Sequence, residues 1–237
     1  MKQIAIGNTA EVYDYEEGKI LKLFKPGYLV EDIHREFNNS ALVNKLGIPS
    51  PKAYEILSDV MNGRTGIVYE KIDGHDLLQE VMANIQNREY VEKRLETLAA
   101  IHKDFINQRS TEPISYKDYL NYFGAPDVDS LPDGEFLCHG DFHFGNLLHS
   151  TQNPEKIYVI DFMNLCHGPK EYDVARAYIL LTEDNLGADI DPVIKNILLQ
   201  AKQESGKFYL NKMGYILKDI EQFIPAIEFC RGKEMLF

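Results

Sequence analysis

The chain has 237 residues, enough for one large domain or two smaller lobes, each with its own core. A formal net charge of −12 argues against sequence-independent binding to nucleic acid, which needs a basic face, and is compatible with a cationic ligand. No apolar run approaches the roughly 18–20 residues of a membrane span, no apolar leader follows Met1, and Cys138, Cys166 and Cys230 cannot all pair, so the expectation is a reducing, cytoplasmic setting with no membrane partner.

The first 72 residues read as strands and one helix. Residues 4–6 and 12–15 are strands flanking Gly7-Asn8-Thr9-Ala10, a short turn-like connection, and Glu17-Gly18 leads into a third strand at 19–24. Ile33, Phe37 and Ala41 recur every four residues and predict a helix over about 32–46, closed by Gly47 with Pro49 beyond it. Residues 53–57 and 65–69 form a hairpin around Asn62-Gly63. After Asp73-Gly74 the pattern becomes helical. Val91, Leu95, Leu98, His102 and Phe105 make a stripe over 90–105, and short helical pieces lie between 107 and 132. Residues 136–139 and 157–160 are short apolar strands around a loop, and further helices cover about 172–181 and 192–223. This pattern divides the chain into a lobe over 1–72 and a mainly helical lobe over 73–237.

Within the loop after residue 138, Asp141 and Asn146 stand five apart, and Asp161 follows twenty residues later at the end of an apolar strand. Phosphoryl transfer needs such a set: a carboxylate to orient an attacking hydroxyl, then an amide oxygen and a second carboxylate to hold a divalent cation against phosphates. On the third strand the two-residue period puts Lys22 on one face with Ile20 and Phe24. A lysine between apolar neighbours needs an anionic partner once buried. Glu36 shares a helix face with Ile33 and Phe37 and points toward the sheet, so Lys22 and Glu36 match the lysine–glutamate pair of kinases in order and placement.

The segment His139-Gly140-Asp141-Phe142-His143-Phe144-Gly145-Asn146-Leu147-Leu148 resembles the signature loop of the aminoglycoside phosphotransferase and choline kinase-like family of small-molecule kinases. Ile160-Asp161-Phe162, followed by Gly168-Pro169 and Asp173-Val174-Ala175-Arg176, resembles its second signature, and Leu98-Ala99-Ala100-Ile101-His102 its short helical motif. The resemblance implies an α+β, two-lobed, protein-kinase-like fold with a five-stranded antiparallel N-lobe carrying one helix and a mainly helical C-lobe. It also implies an ATP- (or GTP-) and Mg²⁺-dependent phosphotransferase acting on a hydroxyl of a small molecule: an aminoglycoside, amino alcohol, sugar or related metabolite. By that resemblance Asp141 is the catalytic aspartate, Asn146 and Asp161 are the Mg²⁺ ligands, backbone groups of Asn8, Thr9 and Ala10 cover the phosphates, and the backbone of Glu70 and Ile72, in the linker Tyr69-Glu70-Lys71-Ile72, meets the nucleotide base. A protein or peptide kinase and a non-catalytic nucleotide-binding pseudokinase are the alternatives. Only about ten residues, 162–171, separate Asp161 from the next helix, which disfavours an activation segment of the protein-kinase type.

Some features depart from the family or carry less. Met163 stands two residues after Asp161, where many relatives have a second acidic group, and the region after Leu181 is short. Glu183, Asp184, Asp189 and Asp191 form an acidic cluster that reads as a solvated loop. His102 reads as a satisfied core histidine, His143 as a packing residue near the acceptor position, and Arg176 as a helix-surface or lobe-bracing ion pair. Tyr116, Tyr119, Tyr122 and Phe123 read as core at helical spacing.

Overall fold

The structure is a computed structural model that describes residues 1–7, 9–186 and 190–234. In chain order its elements are β1 (Lys2–Ile6), β2 (Ala10–Asp14), β3 (Lys19–Phe24), α1 (Val30–Lys45), β4 (Ala53–Val60), β5 (Arg64–Glu70), β6 (Gly74–Asp76), α2 (Leu77–Ala83), α3 (Arg88–Ile106), α4 (Tyr116–Tyr122), β7 (Phe136–Cys138), β8 (Leu147–Ser150), β9 (Ile157–Val159), β10 (Cys166–Gly168), α5 (Lys170–Thr182), α6 (Pro192–Met213), α7 (Leu217–Ile220) and α8 (Ile224–Glu234). They form two compact units, one of residues 1–77 with 145–164 and one of residues 78–144 with 165 onward.

In the first unit a five-stranded antiparallel sheet runs in the order β1-β2-β3-β5-β4. The alternation read from β3 is realised. Ile20 and Phe24 pack with Ala10, Ile33, Ile67 and Tyr69 on the face that α1 covers, while Leu21, Leu23 and Val68 pack on the other. Asn62 and Gly63 take φ of 65° and 77° at the turn between β4 and β5, the left-handed backbone that asparagine and glycine tolerate. Glu31 and Asp32 in the first turn of α1 complement its dipole, and the Gly47 N–H closes its end on the Asn44 carbonyl.

Residues 145–164, which sequence groups with the later helices, pack instead with the first 77. β8 pairs with both β6 and β9, and the Val159 N–H donates to the Pro49 carbonyl at 2.8 Å. β6 and β10 were not legible in the sequence. Each is three residues long, too short for a two-residue period to register.

The second unit is built on α3, α5 and α6. Leu95, Leu98, His102 and Phe105 are buried along one stripe of α3, as their spacing implies. The Asn87 side chain caps that helix by accepting from the Tyr90 N–H. Asp191 caps α6 by accepting from the Val193 and Ile194 N–H groups, with Pro192 at the first helical position, and Gly214 ends it at φ 87°. β7 and β10 pair in antiparallel register, Cys138 opposite Cys166; β7 leads into the loop that carries Asp141, and β10 leads into α5.

Candidate active site

In the first unit three charged side chains meet. Lys22 Nζ lies 2.7 Å from Glu36 Oε1 and 3.1 Å from Asp161 Oδ1, so one ammonium from β3 joins a carboxylate from α1 to another from the loop after β9. Glu36 is 1% exposed. Burial alone would depress the Lys22 ammonium, but the charges of Asp161 and Glu36 outweigh it and hold the group above the ordinary lysine range. Burial raises the Glu36 carboxyl, with Lys22 opposing. Asp161 sits at φ 67°, a left-handed conformation that costs a non-glycine residue about 1 kcal/mol. The Ile160 N–H donates to the Asn146 carbonyl at 3.0 Å, which sets the buried Asn146 alongside the strand end that delivers Asp161.

Two further contacts hold this arrangement, and sequence reasoning missed both. Asn39 Nδ2 donates to the Phe162 carbonyl at 2.8 Å, clamping the residue after Asp161 to α1. Asn39 lies three residues after Glu36, hence on the same helix face, and that spacing could have flagged it. The Tyr69 hydroxyl donates to Glu36 Oε1 at 3.0 Å. An aromatic residue in a strand gives no polar signal in sequence, so this bond was not readable. Met163, the departure from the family pattern, packs against the Ala10, Phe24 and Ile33 cluster.

Among the phosphate-loop residues, Asn8 lies outside the described residues. The Thr9 carbonyl accepts from the Lys25 N–H, and the Ala10 carbonyl accepts from the Gly7 N–H at 2.8 Å. Glu70 ends β5 opposite Lys19, with its N–H on the Lys52 carbonyl, and Ile72 follows in irregular backbone.

In the second unit Asp141 follows a loop anchored from beneath. Asp173 on α5 is fully buried and accepts three hydrogen bonds: from the His139 N–H at 2.7 Å, the Gly140 N–H at 2.8 Å and His102 Nε2 at 2.9 Å. Gly140 holds φ at 75°, which lets consecutive amides converge on one carboxylate. The Asp173 carboxyl is held below its usual range: burial pushes it up, and the His102 bond, the nearby histidines and the Gly140 N–H outweigh that. With Nε2 donating to Asp173, a neutral His102 presents Nδ1 as the acceptor for the Tyr209 hydroxyl of α6, 2.6 Å away. The imidazole also stacks on Phe142 with centroids 4.1 Å apart. His102 is thus the satisfied core histidine the sequence implied.

Asp141 itself is partly exposed, its N–H on His139 Nδ1 and its Oδ2 3.5 Å from His143 Nε2. Burial works to raise its carboxyl, yet His143, Arg176 and His139 hold it far below the ordinary aspartate value. Arg176 is not a helix-surface residue. It is fully buried and pairs with Glu234 of α8 at 3.1 Å, while Glu234 also accepts from the Tyr119 hydroxyl and from Arg231. The acidic cluster is committed rather than free: Glu183 pairs with Arg231, Asp184 with Lys195, and Asp191 caps α6, while Asp189 lies outside the described residues.

A five-stranded antiparallel sheet crossed by one helix, a lysine–glutamate pair within it, and a mainly helical second unit carrying an anchored aspartate loop define a kinase-like fold. The model of the APH phosphotransferase enzyme family matches residues 1–107 and 127–207, and the chain belongs to that family. Among solved structures, aminoglycoside phosphotransferase APH(3'')-Id from Streptomyces rimosus superposes with a TM-score of 0.59 at 14% identity, over 96% of this chain and 91% of that one. Aminoglycoside-3'-phosphotransferase of type VIII gives 0.61 at 14% identity, over 96% and 93%. The streptomycin–ATP ternary complex of APH(2")-IIa gives 0.60 at 13% identity, over 94% and 80%. No curated protein matches the chain. The protein is therefore a phosphotransferase. No helix among the described residues is long and apolar enough to cross a membrane.

Proposed function

We propose that the protein moves the γ-phosphoryl group of ATP, or of GTP, to a hydroxyl of a small molecule, with Mg²⁺ as the metal. The observation that carries this reading is the Lys22 ammonium, held at once by Glu36 and by an Asp161 in strained backbone. A buried cation shared between two carboxylates is poised to exchange one of them for phosphate oxygens, and strain at the second is what a ligand-holding residue shows. The complexes of similar structures with ADP and streptomycin and with ATP and streptomycin support the same reading.

In this reading Lys22 takes nucleotide phosphate oxygens and Glu36 orients it. Backbone groups of Asn8, Thr9 and Ala10 cover the phosphates, and those of Glu70 and Ile72 meet the base. The donor set for the metal fits a hard cation: the Asp161 carboxylate and the Asn146 amide oxygen come from adjacent strand ends and are both oxygen ligands. Mg²⁺ held there would neutralise charge on the phosphate oxygens. Asp141 accepts the proton of the acceptor hydroxyl as that oxygen bonds to the γ-phosphorus and the bond to the nucleoside diphosphate breaks. Its depressed carboxyl keeps it ionised, as an acceptor that orients the hydroxyl for in-line attack. Positioning and charge neutralisation supply most of the rate.

The test is a panel of aminoglycosides, amino alcohols and sugars incubated with ATP and Mg²⁺ and read by product mass. One acceptor is expected to gain a single phosphoryl group. Asp141→Asn should then lower kcat by about 10²–10⁴-fold while nucleotide affinity holds. Undiminished turnover by that variant would remove Asp141 from the reaction.

A further inference from the structure

Tyr69 ends the core of the sheet one residue before Glu70, and its ring fills the cluster of Ala10, Phe24, Ile33 and Ile67. A phenylalanine would fill that space equally. The hydroxyl therefore calls for its own explanation, because burying it is costly unless it is bonded. Its partners are specific. The Ser40 hydroxyl donates to the Glu36 carbonyl at 2.8 Å and lies 3.1 Å from the Tyr69 hydroxyl, whose own proton goes to Glu36 Oε1 at 3.0 Å. Glu36 Oε1 thus receives two donors from two strands, Lys22 from β3 and Tyr69 from β5, while Glu36 Oε2 is buried with no hydrogen-bond partner. When Lys22 exchanges Asp161 for a ligand, the Tyr69 hydroxyl keeps the Glu36 carboxylate in place beside it.

We infer that Tyr69 is a positioning residue: its hydroxyl holds the Glu36 carboxylate toward Lys22 and so joins the base end of the nucleotide site to its phosphate end. This rests on the nucleotide reading above. The effect is expected on the phosphates and not on the base, because the hydrogen bonds run from Tyr69 through Glu36 to Lys22.

Adenosine, ADP and ATP binding to the full chain, measured by calorimetry for wild type and Tyr69→Phe, tests it without knowledge of the acceptor. Loss of a hydrogen bond to a charged group should weaken ADP and ATP by roughly tenfold and leave adenosine unchanged. In a Lys22→Met background the same substitution should have less than about a twofold effect on ATP. Equal losses for all three ligands, no loss for any, or full additivity with Lys22→Met would overturn the inference. Thermal unfolding curves identify a variant that fails to fold. In that event Ser40→Ala carries the test: it leaves Glu36 as the sole acceptor of the Tyr69 proton, so ATP affinity should hold or rise, and a selective fall in ATP affinity would overturn the idea. Wild-type chain that binds no nucleotide overturns the nucleotide reading and this inference together, whereas wild-type binding without the ligand ladder overturns this inference alone.

Discussion

Asp173 makes the sharpest residue-scale case, because one buried carboxylate orders the two residues before Asp141. Its folded-state pKa lies below the unfolded value of about 3.9. The stability it contributes is therefore fully present above that value and is lost as pH falls through the folded pKa. Asp173→Asn should cost about 3 kcal/mol near neutral pH, as expected when one partner of a buried charged network is removed. Melting curves across pH should show the gap between wild type and variant closing below about pH 4. A gap that stayed constant into acid would mean that the carboxylate's charge is not what holds the loop. Sequence showed the charged half of the first unit's cluster and hid this one. Lys22 and Glu36 are polar residues on apolar faces, and such an interruption of a period is visible in one dimension. Asp173 lies in a helix whose residues are buried nearly all round, so no period marked its direction, and its partners, His102, His139 and Gly140, lie more than thirty residues away.

At the scale of elements, α5 and α6 approach closely where Gly206 faces Thr182 and Tyr178. A β-carbon built on Gly206 would stand 2.3 Å from Thr182 Cγ2 and 2.9 Å from Tyr178 Cε2. Helix propensity favours alanine there by about 1 kcal/mol, but overpacking costs about 1–3 kcal/mol, and the closer contact decides the sign. Gly206→Ala should destabilise the fold, and denaturant unfolding should show a lower midpoint at unchanged slope. A rise in the midpoint would mean that the helices separate without penalty. Long elements were legible because their periods run over many residues: α1, α3 and the β4–β5 hairpin all lie where the apolar pattern puts them, with longer ends. α6 begins at Pro192, where the apolar pattern starts it, and Gly214 ends it before the span of about 192–223 is used up. β7 and β9 showed as short apolar runs, whereas β6 and β10 carry polar residues and glycine, and their existence depends on partners distant in the chain.

For the molecule as a whole, the three cysteines are free and buried. Burial pushes the Cys138 thiol far up and the Cys230 thiol up to about 11. Thiolate is the reactive form, so the native protein should be nearly inert to a disulfide reagent at neutral pH and should release three equivalents on unfolding in denaturant. Fast reaction of a thiol in the native state would contradict the packing around β7, β10 and α8. This agrees with the reading of three sparse cysteines that cannot all pair and that pack as small buried hydrophobes.

The first unit is assembled from two stretches of chain that are 67 residues apart. A nascent chain that has emerged only as far as Leu77 has the five strands and α1 but lacks the carbonyl that Asn39 grips, the amide that binds Pro49 and the acid that shares Lys22. Ribosomal synthesis therefore delivers this unit unfinished, with its lysine short of one counter-charge until residue 161 appears. By then α3 and most of the anchored loop have already been made. The partners of α3, namely α5 and α6, and the loop's anchor Asp173 are made later still, and closing the 67-residue gap is the entropic step that sets how late the Lys22 cluster can form.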